Sequence, residues 1–224
     1  MGAVKLYELA GQQDSYRFSP YCWRVRLALA HKNLEVETIP WRFTEKEAIA
    51  VSGQGRVPVL IDGDRVVSDS WAIAEYLDET YPENPLFGSE EAKSLSYFIK
   101  NWDESALLRA LGPVVLFNVF KHLHFKDKAY FRESREAQIG QSLEEFSADS
   151  EAKLEQFRKV LTPIRRVLKH QPFIAGEAPN FADHIVMGRL QMARVTSPLP
   201  PLETIDPVFP WQQRMIARYP VLMG

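Results

Sequence analysis

The sequence predicts an α/β N-terminal half followed by an all-α C-terminal half. In the first 82 residues short apolar runs typical of strands alternate with helical patterns, and beyond them strand patterns are scarce. Between the halves lies a segment rich in helix breakers: Pro82, Asn84, Pro85 and Gly88. We therefore expect a domain at 1–82, a linker at 83–88 and a helical domain at 89–224, in a chain long enough to bury a core.

The first strand is predicted at residues 4–9, and the first helix follows after residue 18. Ser19 is typical of an N-cap, and Pro20 is typical of the first helical turn, where a missing N–H has no cost. Residues 23–31 are good helix formers with apolar side chains on one side. This order places Ser19 at the N-terminus of the helix.

The second strand is predicted at residues 36–39, with its end at Pro40. A connecting segment with short helical potential separates it from the next strand. The continuous apolar run at 57–61, bounded by Gly55 and Gly63, predicts a third strand that is buried on both faces.

The third strand turns back on itself at Asp62-Gly63, which is a strong hairpin signal. The returning fourth strand is predicted at residues 65–67. A helix then runs from about Ser70 to Tyr81 and ends at Pro82.

Pro58 is unexpected inside a central strand because it removes a donor from the hydrogen-bond ladder. A cis peptide bond before it, at a strand start that faces a ligand, accounts for its presence. We therefore predict a cis bond between Val57 and Pro58.

The C-terminal half is predicted to consist of helices joined by loops. A proline-rich loop at 196–207 precedes the last of them. The predicted helices are 89–111 with an end or kink at Pro113, 128–146, 151–170 bent or broken at Pro163, a helix that starts at Asn180 and ends before Pro198, and 210–218.

Composition narrows the class of protein. The 27 Lys and Arg residues nearly balance the 29 Asp and Glu residues, which argues against a nucleic acid or an anionic membrane surface as partner. No apolar run approaches the ~20 residues of a membrane span, and Lys5 and Glu8 interrupt any apolar signal segment. A single cysteine cannot form an internal disulfide, so we expect a reducing cytoplasm.

Ser19 and Cys22 place a hydroxyl and a thiol three residues apart at the positive end of a helix. Such a site stabilises a thiolate. Ser19 alone is explained as well by capping, and Cys22 by burial as a small apolar residue. Followed in order by Val57-Pro58-Val59 and Asp69-Ser70, the pair predicts one pocket that holds a thiol.

These motifs also carry a family resemblance. Residues Ser19–Cys22, Arg56–Val59 and Asp69–Ile73 resemble the thioredoxin-like half of a glutathione transferase. Gly176 and the segment Asn180–Asp183 resemble the buried capping motif of the same family at the start of a core helix. The resemblance covers nearly the whole chain, and it implies a thioredoxin-like domain followed by an all-α domain.

A narrower resemblance rests on the long segment 10–18 before Ser19 and on several short motifs. With these features the chain is similar to the bacterial β-etherase and fungal etherase-like glutathione transferases, in which a serine assists the thiolate. The motifs are Ser19-Pro20-Tyr21, Trp23-Arg24, Asp69-Ser70-Trp71 and Asn101-Trp102. Cys22 departs from some members of that group and leaves the catalytic assignment open between Ser19 and Cys22.

The resemblance implies glutathione as co-substrate and assigns roles to the motif residues. The backbone of Val57 would bind the cysteinyl part, a contact that Pro58 makes possible. Arg56 would pair with a carboxylate of the tripeptide. Ser70 and its helix N-terminus would bind the γ-glutamyl carboxylate, while Asp69 binds the ammonium. A solvated arginine and a plain helix cap are the alternatives for Arg56 and for the Asp69-Ser70 pair.

The activity implied is attack by the glutathione thiolate on a hydrophobic aromatic electrophile, with cleavage of a β-aryl ether as the specific candidate. The family also implies a homodimer. If Cys22 were the nucleophile, the chain would be a glutathione disulfide reductase or thioltransferase. A non-catalytic binder of hydrophobic aromatic ligands is a third interpretation.

Other residues that could carry chemistry are predicted to be structural. Asp183, three residues after Asn180, fits a reciprocal helix cap. His122 and His124 lack a third ligand, so no metal site is predicted. Tyr7 is expected to pack in the first strand.

The electrophile site is not located by the sequence. Several aromatic residues suit a flat apolar co-substrate, and the same spacing is typical of a core. They are Tyr16, Phe18, Tyr21, Tyr97, Trp102, Phe117 and Phe120.

Overall fold

The N-terminal half of the computed structural model, which describes residues 4–223, is one mixed sheet with two helices. Residues 1–3 and 224 of the predicted domains lie outside the described part. The strand order is β2-β1-β3-β4, and a 3₁₀ helix at Lys46–Ser52 connects β2 to β3. The elements are β1 Val4–Leu9, α1 Pro20–His31, β2 Val36–Trp41, β3 Val59–Asp62, β4 Arg65–Ser68 and α2 Ser70–Thr80.

The C-terminal half is helical throughout its described part. A π-helical turn at Asp103–Leu107 joins the first two helices, and a 3₁₀ turn at Pro220–Met223 follows the last one. The helices are α3 Glu90–Trp102, α4 Leu108–His122, α5 Phe125–Ile139, α6 Leu143–Phe146, α7 Ser150–Val160, α8 Thr162–Val167, α9 Phe181–Thr196 and α10 Val208–Arg218. The predicted fold class, a thioredoxin-like α/β half followed by an all-α half, is confirmed.

None of the helices in residues 4–223 has the length and apolar character needed to cross a membrane.

The sheet register determines which segments share an edge. β1 runs parallel to β2 and antiparallel to β3, which in turn runs antiparallel to β4. Tyr7 pairs with Val59, and Val59 pairs with Ser68. The end of β1, the start of β3 and the end of β4 therefore meet at the same edge of the sheet.

Two strand boundaries differ from the prediction. Pro40 does not end β2, which continues to Trp41. β2 is an edge strand, where a missing N–H can point away from the neighbouring strand. β3 begins at Val59 instead of Val57, because Pro58 precedes the ladder. The third strand was predicted to be buried on both faces. Its first two residues, Val59 and Leu60, are fully buried, whereas Ile61 is half-buried.

The largest correction concerns the predicted helix 89–111. α3 ends at Trp102 and continues through the π-helical turn into α4, and Pro113 lies inside α4 without ending it. The predicted helix 128–146 is likewise two helices, separated at Gly140, which has a φ of 74°. The predicted break near Pro163 is confirmed, since Pro163 lies in the first turn of α8.

The segment before β3 is held by a buried carboxylate of the helical half. Asp127 of α5 is fully buried and accepts hydrogen bonds from the N–H groups of Phe43 and Thr44, at 2.9 and 3.0 Å, and from the Thr44 hydroxyl at 2.7 Å. Lys126 pairs with Glu45 at 2.6 Å beside it. The chain that leads to Val57 is thus attached to α5 of the helical half.

A second contact between the halves joins the end of α1 to α9 and to the residue after α10. His31 Nδ1 lies 3.3 Å from His184 Nε2 and 3.0 Å from the Tyr219 hydroxyl. Burial lowers the pKa of His31 to about 4, and the charges of Arg218 and Lys32 act in the same direction. Burial also lowers the pKa of His184 well below its usual value. Both rings are therefore neutral at pH 7.

We predict that replacing His31 with glutamine flattens the dependence of stability on pH. A histidine with a lowered pKa in the folded protein binds fewer protons there than in the unfolded chain. Its contribution is therefore lost as the pH falls from about 6.5 through the folded value of about 4. Between pH 7 and 4.5 the decrease in the free energy of unfolding should be smaller by about 2 kcal/mol in His31→Gln.

Urea unfolding at a series of pH values measures this slope. His170→Gln, at an exposed histidine, is the matched control and should keep the slope of the original chain. An unchanged slope in His31→Gln would show that the ring does not titrate with unfolding.

Candidate functional site

Ser19 lies at the junction between the loop after β1 and the start of α1. It has a φ of −68° and a ψ of 121°, caps the helix, and is 6% exposed. Its Oγ accepts a hydrogen bond from the Cys22 N–H at 3.4 Å. Because a hydroxyl accepts and donates, the proton of Ser19 can point to a ligand at the helix N-terminus.

The three motifs of the predicted thiol site occur at one edge of the sheet. Val59, which follows Pro58 directly, pairs with Tyr7 near the end of β1 and with Ser68, the residue before Asp69. The peptide bond between Val57 and Pro58 is cis, as predicted. The edge therefore combines a strand start with the N-terminus of α2 and the approach to α1.

Asp69 and Ser70 form the start of α2. Asp69 Oδ1 accepts hydrogen bonds from the N–H groups of Trp71 at 2.8 Å and Ala72 at 3.2 Å, while Ser70 is buried. The backbone of Asp69 has a φ of 76°, a conformation that L-residues rarely adopt. Such strain is typical of functional positions. The capping interpretation is correct, and Asp69 remains exposed toward solvent.

Arg56 has an exposed side chain, whereas its backbone is held locally. Its N–H donates to Gln54 Oε1 at 2.8 Å, and its carbonyl accepts from Gln54 Nε2 at 2.5 Å. This turn sets the direction in which the chain enters Val57.

Cys22 points into the core. It is 2% exposed, and burial raises the pKa of its thiol to about 12. The Glu8 carboxyl acts in the same direction, whereas the hydrogen bond with Ser19 acts against it. Thiolates are the reactive form of cysteine. The environment of Cys22 therefore disfavours nucleophilic chemistry.

Glu8 of β1 is a buried carboxyl beside the thiol turn. It lies 3.5 Å from Arg17 of the preceding loop and 3.7 Å from Arg26 of α1. Burial raises the pKa of Glu8 to about 7, and the two arginines act against this shift. These contacts fasten the loop before Ser19 to β1 and α1.

A second buried ion cluster lies on the opposite side of α1, where α1 meets the helical half. Arg24 of α1 donates to Asp103 Oδ2, and Arg189 of α9 binds the same carboxylate with both its Nε, at 2.8 Å, and its Nη2, at 2.6 Å. All three side chains are at most 1% exposed. We refer to Arg24, Asp103 and Arg189 as the Arg-Asp-Arg cluster.

Sequence reasoning did not identify this cluster. The motifs found in the sequence include Arg24, but they include neither Asp103 nor Arg189. The available signal was the presence of arginines within largely apolar helical segments, Arg24 between Trp23 and Val25 and Arg189 before Leu190, since arginine is rarely buried without a partner. The π-helical turn that starts at Asp103 carries no pattern that separates it from the helix around it.

Gly188 brings α9 close to the start of α1. A Cβ atom at this position would lie 2.7 Å from the Pro20 carbonyl oxygen and 3.2 Å from Arg24 Cγ. Only glycine permits this approach, because the first of these atoms belongs to the backbone. The position of the thiol turn therefore depends on α9.

The aromatic residues considered for the electrophile site fall into separate groups. Tyr16 stacks on His122 with centroids 5.0 Å apart and lies 5.6 Å from Phe18. Tyr97 packs against Trp71 at 5.2 Å. The Phe117 and Phe120 rings are 6.2 Å apart on α4, and Tyr21 lies beneath the guanidinium of Arg24 at 4.7 Å. The contacts bring Tyr16, Phe18 and His122 together but do not join all of the candidates.

Comparison with family models identifies the class of protein. Residues 15–85 match the N-terminal domain of glutathione S-transferases, and residues 94–218 match their C-terminal domain. The chain belongs to the glutathione S-transferase family. Membership supports the expectation that glutathione is the co-substrate.

Curated relatives are matched over about half of their length or less. Glutathione S-transferase Z2 of Arabidopsis thaliana is 42% identical over 120 residues, which is 51% of this chain and 52% of that protein. Maleylacetoacetate isomerase of Pseudomonas aeruginosa is 36% identical over 95 residues, which is 39% of this chain and 42% of that protein.

Solved structures match over nearly the full length, at identities that show the fold alone. A glutathione S-transferase of Ceriporiopsis subvermispora, in complex with glutathione, has a TM-score of 0.86 at 22% identity and covers 100% of this chain and 98% of its own. Glutathione transferase GSTFuA3 of Phanerochaete chrysosporium has a TM-score of 0.86 at 23% identity and covers 98% of each chain.

We predict that Gly188→Ala destabilises the protein and displaces the thiol turn. The added Cβ would overlap the Pro20 carbonyl oxygen, so α9 and α1 must separate. Overpacking of this kind costs about 1–3 kcal/mol. Chemical unfolding measures the loss.

Gly112→Ala is the matched control, because its Cβ would meet only the ring of Phe146 at 3.7 Å. Alanine also favours a helix interior over glycine by about 1 kcal/mol, so this variant should be as stable as the original chain or more stable. Equal stability of the two variants would refute the close approach of α9 to α1.

Proposed function

We propose that this chain is a glutathione-dependent transferase in which Ser19 stabilises the glutathione thiolate for attack on a hydrophobic aromatic electrophile. The observation that carries the proposal is the position of Ser19. It caps α1 at the sheet edge where the Val57-Pro58 bond and the N-terminus of α2 also lie. A thiol placed there faces a hydroxyl and the positive end of a helix.

Glutathione would occupy this edge in an extended conformation. The backbone of Val57 would bind the cysteinyl unit as an added strand. Ser70 and the N–H groups of α2 would bind the γ-glutamyl carboxylate, with Asp69 near the ammonium. Arg56, whose side chain is exposed, would pair with a carboxylate of the tripeptide.

Ser19 would act by stabilising the ionised thiol. A glutathione thiol resembles free cysteine, so only a minority is ionised at neutral pH. A hydroxyl donor, backbone N–H groups and the helix dipole together lower such a pKa by about 1–2 units. The population of the nucleophile then rises several-fold, and the hydrogen bond also orients it.

The candidate reaction is cleavage of a β-aryl ether. The thiolate would form a carbon–sulfur bond at the β-carbon while the carbon–oxygen bond breaks and phenolate leaves with the electron pair. A flat aromatic substrate suits Tyr16, which stacks on His122 next to the thiol turn.

A second candidate is glutathione-dependent isomerisation. The curated relatives include zeta-class transferases and maleylacetoacetate isomerases, among them the protein of Pseudomonas aeruginosa. A thiolate that adds to a conjugated double bond permits rotation before it leaves, so the same thiol site serves this chemistry without net consumption of glutathione.

The buried state of Cys22 argues against the thioltransferase alternative. With a pKa of about 12, its thiol would be almost entirely protonated at neutral pH. A non-catalytic binder would hold the same ligands as a transferase or an isomerase but would not convert them.

A reducing cytoplasm stays the predicted location, because a chain with a single cysteine has no internal disulfide that requires an oxidising compartment.

We predict that Ser19→Ala lowers conjugation or ether cleavage by about one to two orders of magnitude. One hydrogen bond to a charged sulfur is worth about 1.5–3 kcal/mol, and the helix N-terminus remains. Cys22→Ala should keep nearly full activity apart from a small packing loss. Four substrates separate the reactions. Kinetics on a model aryl halide measure conjugation, a β-aryl ether measures ether cleavage, maleylacetoacetate measures isomerisation, and a mixed glutathione disulfide measures disulfide reduction.

Each alternative has its own result in this panel. Loss of disulfide reduction in Cys22→Ala with an active Ser19→Ala would establish a thioltransferase and refute the proposal. Glutathione binding measured by calorimetry without turnover of any substrate would indicate a binder. Ser70→Ala is the control for the site itself, since it should weaken glutathione binding and leave the thiol chemistry of the bound fraction unchanged.

We also propose a homodimer, and the support is an apolar surface on α3. Phe98 is 67% exposed, and Leu95, three residues earlier and therefore on the same face of α3, is 38% exposed. Exposed apolar groups of this size are typical of interaction surfaces.

Light scattering should give twice the chain mass for the original protein, and Phe98→Asp should give the mass of one chain. Phe125→Asp, at an exposed phenylalanine of α5, is the control and should remain a dimer. A single-chain mass for the original protein at all concentrations would refute the proposal.

A further inference from the structure

We propose that the Arg-Asp-Arg cluster lowers the pKa of the glutathione thiol bound at the start of α1, through the electric field of its charges. The inference rests on the proposed function, because it assigns to buried residues part of the thiolate stabilisation attributed there to Ser19 and the helix N-terminus. Arg24, Asp103 and Arg189 would act through the field at the thiol without touching glutathione.

The cluster carries an uncompensated positive charge. Two guanidinium groups, which stay protonated in proteins, share one carboxylate, so the three side chains sum to +1. Glu104 lies 4.0 Å from Arg24 but also pairs with Lys100 at 3.2 Å. Inclusion of this second pair leaves the sum at +1.

The low exposure of the cluster makes this charge effective at a distance. Each of the three side chains is at most 1% exposed, so water and salt screen them poorly. The Nε of Arg24 and one terminal nitrogen of Arg189 also lack a hydrogen-bond partner among the described residues. A stabilising role alone is a weak explanation, because two buried arginines on one carboxylate have a large desolvation cost.

The cluster lies close to the thiol turn. Arg24 follows Ser19 by five residues, which corresponds to about 7.5 Å along the axis of α1. The ring of Tyr21, which belongs to the turn, packs against the cluster, with the guanidinium carbons of Arg24 and Arg189 at 4.7 and 5.6 Å from its centroid. Gly188 holds α9, and with it Arg189, against Pro20.

The expected size of the effect follows from this separation. One charge at about 10 Å with an effective dielectric constant of about 20 shifts a pKa by about 1 unit. Solvent at the open side of the site reduces this value, so we expect about 0.5–1 unit. That contribution is smaller than the combined effect of Ser19 and the helix but has the same sign.

Asp103 and Arg189 belong to the helical half, whereas the thiol turn belongs to the α/β half. The excess charge is therefore assembled only when α9 and the π-helical turn are packed against α1. A substrate-induced displacement of these helices would change the reactivity of the thiol even where it leaves the glutathione contacts intact.

The test compares Arg24→Lys with Arg24→Gln in the full-length chain. Lysine keeps the charge and loses the guanidinium geometry, whereas glutamine removes the charge and leaves Arg189 paired with Asp103. The ultraviolet absorbance of the thiolate, titrated with saturating glutathione, gives the pKa of the bound thiol. We expect Arg24→Gln to raise this pKa by about 0.5–1 unit and Arg24→Lys to leave it at the value of the original chain.

The same substitutions at Arg189 provide a second pair of variants if those at Arg24 do not fold. Arg165→Gln is the control for the loss of one arginine, since Arg165 pairs with Asp206 in a different part of the helical half. It should leave the pKa of bound glutathione unchanged.

Several outcomes would overturn the inference. Equal pKa values in the lysine and glutamine variants, whether shifted or not, would show that the charge does not act on the thiol. A bound thiol whose pKa in the original chain equals that of free glutathione would overturn the proposed thiolate stabilisation as well. A lowered pKa in the original chain that only Ser19→Ala raises would retain the proposed function and refute the role of the cluster.

Discussion

The close packing of α9 against the start of α1 is the contact on which the site depends. Gly188 allows the two helices to meet at the Pro20 carbonyl, one residue after Ser19. The Arg-Asp-Arg cluster lies in the same contact, and its carboxylate comes from the turn between α3 and α4. At the other end of α1, His31 meets His184 and Tyr219. Because α1 is held along its length by the helical half, the direction of its N-terminus is determined by both halves.

The sheet supplies the second constraint. An antiparallel β3 between β1 and β4 places the start of one strand beside the ends of its two neighbours. The N-terminus of α2 follows β4 directly, and that of α1 follows β1 after a loop. Two positive helix ends therefore lie at one sheet edge, which suits a ligand that has a carboxylate and an ionisable thiol. The segment that leads to Val57 reaches the same edge, and Asp127 holds it by hydrogen bonds from the N–H groups of Phe43 and Thr44.

Two differences between the sequence analysis and the structure share a physical origin. Proline was expected to end a strand at Pro40 and to end or kink a helix at Pro113, but Pro40 lies inside an edge strand and Pro113 inside α4. A proline removes a donor wherever it stands, and whether that loss matters depends on neighbours that local patterns do not reveal. The cis bond before Pro58 and the break near Pro163 were predictable, because a ligand-facing strand start and a first helical turn are local settings.

The sequence by itself determined the fold class, the capping roles of Ser19, Asp69 and Asn180, and the three motifs that define the family. Each depends on residues within a few positions of one another, where backbone preference and hydrogen-bond chemistry act locally. Only the tertiary structure decided that Cys22 faces the core and that Arg24 shares a carboxylate with Arg189. Burial and long-range pairing of charges depend on which helices meet in space, and residues 24, 103 and 189 are too far apart in the chain for any local pattern to connect them.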